Sequence, residues 1–186
     1  MRRGGTAVLA TLFAAGACLA QAPADPGGES RDFGVPASTE LRLAGHASPT
    51  PREIPGARTV RTAELQAMLE LPPADRPFLF DVLGGTGHDS IPGAIWLAEA
   101  GRGSSFDDEI QDRLARTLGF IAGGNVQRKM IFFCANTGCW LSYNAALRAA
   151  QLGYTVGWYR GGIDAWIAAG GALVPMRVGW KRPELK

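Results

Sequence analysis

Two cysteines five positions apart, Cys134 and Cys139, are the residues of this sequence best suited to carry chemistry. They lie in the stretch FFCANTGCW, directly after an apolar run and directly before a helical pattern. A thiolate at such a strand end meets the amide N–H groups and the positive dipole end of the next helix, which lower its pKa and favour nucleophilic attack. The pattern therefore predicts a reactive Cys134 with Cys139 as helper, and a binding loop formed by Ala135, Asn136, Thr137, Gly138 and Trp140.

Two other roles for this cysteine pair remain open at this point. The first is a purely structural disulfide, since local cysteine pairs of exported proteins are often inert. The second is a metal site, but zinc needs more ligands than two thiolates, and the only histidines are His46 and His88, in separate loops. The sequence therefore predicts no zinc site, while a copper(I) site with two thiolate ligands stays an alternative.

The elements that must position the cysteines alternate between strand and helix patterns after residue 57. Parallel sheets with helices on both faces produce this alternation, so the predicted fold class is α/β. Short apolar runs predict strands, and periodic segments, several of them bounded by glycine, predict helices. The strand patterns lie at 77–83, within 91–103, at 129–133 and at 155–159, and the helix patterns at 61–71, with Thr62 as cap, 105–120, 140–154 and 161–171.

Three further features of these elements attract attention. Asp81 ends the strand pattern at 77–83, where we expect it to hold loop amides in support of the site rather than to take part in catalysis. His88 follows in a glycine-rich loop and is expected to be solvated. Trp140, Trp158 and Trp166 are expected in the core rather than around a ligand.

The amino terminus has the pattern of an export signal. Residues 1–22 begin with Arg2 and Arg3, continue with an apolar stretch too short for a membrane span, and end in small residues. We therefore predict a periplasmic protein without a transmembrane span in the mature chain, with a lipoprotein acylated at Cys18 as the alternative. Loss of the leader reduces 19 basic residues to 17, equal to the 17 acidic ones. This balance argues against nucleic-acid binding.

Several motifs together are similar to rhodanese-like domains, the sulfurtransferase fold. These are FLFDVL, IPGAIWL, the strand-cysteine-loop-helix segment and GGIDAW, in this order. More closely, CANTGCW followed by SYNAALRAAQLGY, with the leader segment ELRLAGHASPTPREIPGARTV, resembles the family of PQQ-dependent catabolism-associated CXXCW motif proteins. The resemblance implies a rhodanese-like domain at residues 57–175, after an extended arm at 23–56 and before a tail at 176–186.

The same resemblance implies sulfur transfer or thiol redox chemistry through Cys134 with Cys139. The partner would be a sulfane-sulfur donor or a thiol protein, and also a periplasmic quinoprotein dehydrogenase or cytochrome c. PQQ would belong to the associated pathway only, with no cofactor bound to this chain.

The loop departs from the pattern of active rhodaneses, whose loop arginine helps to bind thiosulfate. No arginine lies between Cys134 and Arg148, and Trp140 stands where related phosphatases need one. Four residues separate the two cysteines, more than the motif in the family's name implies. The alternative function is therefore a catalytically inactive accessory module with a structural Cys134–Cys139 disulfide.

Overall fold

The computed structural model describes residues 25–176. The predicted signal at 1–22, with Cys18, lies outside this range, as do residues 177–186 of the predicted tail. Within the described range, no helix combines the length and the apolar character needed to cross a bilayer.

A five-stranded parallel sheet forms the centre of the domain. Its strands are β1 (Arg58–Val60), β2 (Phe78–Asp81), β4 (Ile95–Trp96), β5 (Lys129–Phe133) and β6 (Thr155–Tyr159). Their order across the sheet is β1-β6-β5-β2-β4, so β5, which leads to Cys134, lies in the middle. A separate antiparallel pair consists of β3 (Asp89–Ser90) and β7 (Val174–Pro175).

Four helices of the described range cover both faces of this sheet, as the α/β prediction requires. They are α1 (Thr62–Leu69), α2 (Glu109–Ala122), α3 (Trp140–Gln151) and α4 (Gly162–Ala168). Helices α2 and α3 pack on one face, where Leu114 and Ala145 belong to the same apolar cluster as Phe132. Helices α1 and α4 pack on the other face, where Leu65 and Ile163 join a second cluster. The predicted fold class is confirmed.

Some local features differ from the predicted pattern. Thr62 was expected to cap α1 but is its first helical residue, because its hydroxyl bonds instead to the buried Glu29 carboxylate and to the Tyr159 hydroxyl. The cap position falls to Arg61, whose N–H donates to the Glu64 carboxylate at 2.9 Å. Strand β1 was not predicted, since only Val60 of its three residues is buried.

Candidate functional site

The two cysteines form a disulfide at the carboxyl end of the central strand. Cys134 follows β5, Cys139 precedes α3, and their Cα atoms lie 6.1 Å apart. This separation lies within the range that a disulfide spans without backbone movement. The two cysteines are thus as close as both predicted roles of Cys139, the helper thiol and the structural disulfide partner, require.

Both cysteines are shielded from solvent. Cys134 is 1% exposed and Cys139 is 9% exposed, and both belong to the apolar cluster between the sheet and α3. Burial limits the chemistry of this state, because exchange at a disulfide requires that a thiolate reach one of its sulfurs. The oxidised site is closed.

A segment of the N-terminal arm lies directly over the disulfide loop. Ala47 forms an isolated antiparallel bridge with Cys139. On either side of this bridge, the Ser48 N–H donates to the Gly138 carbonyl at 2.9 Å, and the Trp140 N–H donates to the His46 carbonyl at 2.9 Å. The predicted arm is thus joined to the loop by strand-like hydrogen bonds.

The loop uses part of its own backbone to hold its shape. The Gly138 N–H donates to the Asn136 side-chain oxygen at 2.9 Å, and the Cys139 N–H donates to the Asn136 carbonyl at 3.1 Å. Together with the Trp140 N–H, which donates to the arm, these amides already have protein acceptors. In this state these three amides are not free to bind a ligand, and the binding loop itself stays a prediction.

Helix α4 supports the loop from the other side. The N–H groups of Ile163 and Asp164 donate to the carbonyls of Cys134 and Ala135, at 3.0 and 2.9 Å. The Asn136 side chain adds a 2.8 Å bond to the Asp164 carboxylate. The motif GGIDAW therefore positions the cysteine loop, a role that sequence analysis did not assign to Asp164.

The close contact between α4 and the loop depends on Gly162. Its φ is +61°, a left-handed conformation that residues with a Cβ rarely adopt. A Cβ on this residue would also lie 2.7 Å from the carbonyl carbon of Ala135. Glycine thus allows both the turn and the approach.

Asp81 is fully buried at the end of β2 and accepts three hydrogen bonds. One oxygen accepts the Leu83 N–H at 2.8 Å, and the other accepts the Ser90 hydroxyl and contacts Nε2 of His88 at 2.8 Å. The expectation that His88 is solvated is wrong. Its side chain is 15% exposed, because Asp81 holds it edge-on against the Trp96 ring, 4.9 Å between centroids.

The three tryptophans singled out in the sequence are buried, as expected for core residues. The Trp140 ring packs edge-on against Tyr143, which contacts Trp158 in the same way. The Trp140 indole N–H also donates to the Pro49 carbonyl at 3.1 Å. Trp140 thus adds a side-chain bond between the arm and the start of α3.

Two arginines that sequence analysis did not single out are buried, and both are engaged by protein acceptors. Arg148 pairs with the carboxylate of Asp108, the residue just before α2, at 2.8 Å. Arg160 donates to the carbonyls of Glu29, Arg31 and Thr50, at 2.7 to 2.9 Å. The burial of these two arginines could not be predicted from the sequence. Their acceptors are mostly backbone oxygens of residues distant along the chain, which leave no residue pattern.

An open groove of about 450 Å³ lies against the outside of the loop. Asn136, Thr137 and Gly138 form its floor, and arm residues including Ala47 and Ser48 form one wall. Among the described residues, no group of three or more His, Cys, Asp or Glu side chains is placed to hold a metal ion. Neither cysteine of the disulfide lines this groove.

The model of the rhodanese-like domain family matches residues 61–169. Among solved structures, the chain is similar to a thiosulfate sulfurtransferase from Pseudomonas aeruginosa, at 22% identity and a TM-score of 0.46, over 68% of this chain but only 21% of that one. A protein from Bacillus halodurans matches at 21% identity and a TM-score of 0.47, over 63% of this chain and 77% of its own.

A yeast protein tyrosine phosphatase of the rhodanese family matches at 24% identity and a TM-score of 0.41, over 61% of this chain and 86% of its own. The chain therefore spans about a fifth of the Pseudomonas sulfurtransferase but most of the other two. No curated protein matches it.

Proposed function

Since this chain belongs to the rhodanese-like domain family, we propose that it is an exported thiol protein that transfers sulfur or exchanges disulfides through Cys134. Cys139 is the resolving thiol. The observation that carries this proposal is the position of the pair: Cys134 follows the central strand, where the family's nucleophile stands, and Cys139 is already bonded to it.

In the sulfur-transfer version, reduced Cys134 attacks the outer sulfur of a donor such as thiosulfate. The new bond makes a Cys134 persulfide, and the sulfur–sulfur bond of the donor breaks with loss of sulfite. The Cys139 thiolate then attacks the Cys134 sulfur, which closes the disulfide and releases the outer sulfur as hydrosulfide. The cysteine pair loses two electrons and the transferred sulfur gains them, so a dithiol partner protein must reduce the pair before the next turnover.

In the redox version, the same pair exchanges disulfides directly with a thiol partner protein. The first step is then attack of a partner thiolate on the Cys134 sulfur, which forms a mixed disulfide with Cys134 and releases Cys139 as a thiolate. The lack of a loop arginine favours this version over thiosulfate chemistry, because that arginine helps active rhodaneses to bind thiosulfate. In this region Trp140 instead donates its indole N–H to the Pro49 carbonyl. Both versions give Cys134 and Cys139 the same roles.

The proposed setting is the periplasm, beside PQQ-dependent alcohol oxidation. The leader pattern at residues 1–22 supports export, and the resemblance of CANTGCW and of the arm to the CXXCW motif family supports the pathway. A quinoprotein dehydrogenase or its cytochrome c would be the partner, and PQQ itself would not bind to this chain.

A second candidate function is an accessory module without catalysis. The burial of both cysteines favours it, since a closed disulfide inside an apolar cluster has the properties of a structural crosslink. In this case the disulfide holds the loop in shape, and the domain acts by binding a periplasmic quinoprotein dehydrogenase or cytochrome.

Variants of the two cysteines test the proposal and separate it from this alternative. We expect reduced Cys139→Ser to retain an adduct of one sulfur, about 32 Da, after thiosulfate is added, because no thiol is left to resolve the persulfide. Cys134→Ser should retain none, and the wild type should release hydrosulfide. Intact-mass spectrometry and a sulfide assay measure these results, with alkylated wild type as the control.

For the redox version, the same variants are incubated with a disulfide-containing probe peptide. Cys139→Ser should accumulate the mixed disulfide, and Cys134→Ser should not. If neither variant differs from the wild type with either reagent, and both have lower melting temperatures, the accessory module is the correct function.

A further inference from the structure

Residues 46–50, here called the strap, lie across the part of the loop that the disulfide encloses. Backbone bonds fix the strap at both ends, from the Trp140 N–H to the His46 carbonyl and from the Thr50 N–H to the Thr137 carbonyl at 3.1 Å. The Ala47–Cys139 bridge lies between them. The strap therefore contacts the loop along its length.

Thr50 is the residue through which the strap is anchored. It is fully buried, and its hydroxyl donates to the Thr137 carbonyl at 2.7 Å. The same hydroxyl accepts the Arg160 Nε–H at 3.2 Å, and the Thr50 carbonyl accepts from the Arg160 guanidinium at 2.9 Å. One side chain thus joins the strap to the loop and to the end of β6.

We propose that the strap is a gate that closes the Cys134–Cys139 disulfide against reactants. In the closed state the sulfurs are buried and the strap pairs with the backbone of Cys139. In this proposal, a small thiol or a protein reductant reaches the sulfurs once the strap has left the loop. The gate takes its biological role from the proposed function, but its effect on disulfide reduction is independent of any sulfur transfer.

The gate is coupled to the redox state of the cysteines. The strap bonds to Thr137, Gly138 and the bridge residue Cys139, and the disulfide holds these residues in one arrangement. Reduction removes this constraint from the loop and so weakens the surface that the strap binds. The coupling is reciprocal: the free energy by which the disulfide stabilises the bound strap equals the free energy by which the bound strap stabilises the disulfide.

The rate at which dithiothreitol reduces the disulfide in the folded protein tests the gate. Thr50→Val keeps the shape of the side chain but removes both hydroxyl hydrogen bonds, and Trp140→Phe removes the indole N–H that holds Pro49. We expect each to speed reduction by about five- to tenfold, the effect of one or two hydrogen bonds on an opening equilibrium. Thr117→Val, which loses a hydroxyl bond to Arg113 in α2, is the matched control and should leave the rate unchanged.

Urea unfolding of each variant distinguishes gate opening from global unfolding. The proposal is overturned if both strap variants are reduced at the wild-type rate, or if all three variants speed reduction in proportion to their loss of unfolding free energy. Hydrogen exchange tests the redox coupling: the Ser48 and Thr50 amides should exchange faster after reduction, and equal exchange in both states would refute the coupling. Failure of the proposed function would show differently, as normal gating with no persulfide or mixed disulfide.

Discussion

At the scale of single residues, Asp81 is a buried carboxylate whose side-chain hydrogen bonds all come from the segment that follows β2. The carboxylate accepts hydrogen bonds from the Leu83 N–H, the Ser90 hydroxyl and the His88 ring N–H. All three residues follow β2 closely in the sequence. A buried carboxylate is costly unless such donors surround it. Asp81 therefore fixes the turn after β2 and the start of the β3–β7 pair.

We predict that Asp81→Ala destabilises the protein by roughly 2–4 kcal/mol, because it leaves the buried Ser90 hydroxyl and the partly buried Leu83 N–H without their acceptor. Urea unfolding at neutral pH measures the change. Asp75→Ala, at an exposed turn, is the control and should change the free energy of unfolding by less than about 0.5 kcal/mol. Equal effects at the two positions would remove the support role of Asp81.

At the scale of elements, the site depends on how α4 meets the loop after β5. Two amides of α4 donate to loop carbonyls, and Gly162 lets the helix approach closely enough for this. The contact holds the backbone of Cys134 on one side, while the strap holds Cys139 on the other. The disulfide loop is thus fixed between two elements distant in sequence.

We predict that Gly162→Ala destabilises the protein by about 3 kcal/mol or more, since the new Cβ adds a steric clash with the loop backbone to the cost of a left-handed residue. Gly123→Ala is the matched control: its φ of +59° is nearly the same, but no atom lies within 4 Å of its added Cβ. That variant should lose only about 1–2 kcal/mol. Thermal and urea unfolding compare the two, and equal losses would show that the loop yields to the Cβ.

The sequence predicts the elements whose pattern is local and misses those defined by distant partners. KMIFF matches β5 residue for residue. A central strand of a parallel sheet is covered by helices on both faces, so its sequence is a nearly continuous apolar run that can be recognised locally. The two-residue strands β3 and β7 are too short for any period. The position of the cysteines was predicted from the strand-to-helix turn, but the strap was not. Its bonds join residues that are distant in the sequence, and most of them are made by backbone groups, which leave no pattern in the sequence.

At the scale of the whole molecule, two buried arginines join parts of the chain that the sheet does not. Arg160 draws the carbonyls of Glu29, Arg31 and Thr50 together, so it fastens the arm to the domain. Arg148 connects α3 to the loop before α2 through Asp108 and the carbonyls of Arg102 and Ser105. These cations hold the fold around the site rather than bind an anion within it.

The Arg148–Asp108 pair makes the stability of the molecule depend on pH. Burial acts to raise the pKa of Asp108, but hydrogen bonds from Arg148 and from the backbone N–H groups of Gln111, Ser105 and Ser104 outweigh it and lower the pKa to about 2. Because the folded-state pKa lies below the ordinary value of 3.8, the ionised carboxylate stabilises the folded state above that value. This stabilisation is lost as the pH falls toward 2.

We predict that wild type and Asp108→Asn differ most in unfolding free energy at pH 6 and converge as the pH falls from about 5 to about 2. Asparagine can still cap α2 but cannot ionise, so the pH-dependent part of the difference belongs to this carboxylate and amounts to about 2 kcal/mol. The other acidic groups contribute equally to both proteins and cancel in the difference. Urea unfolding across this range measures the two curves, with the disulfide intact because acid suppresses thiolate exchange. Curves that stay parallel from pH 6 to pH 2 would show that Asp108 titrates alike in the folded and unfolded chains, and that Arg148 does not lower the pKa of this carboxyl.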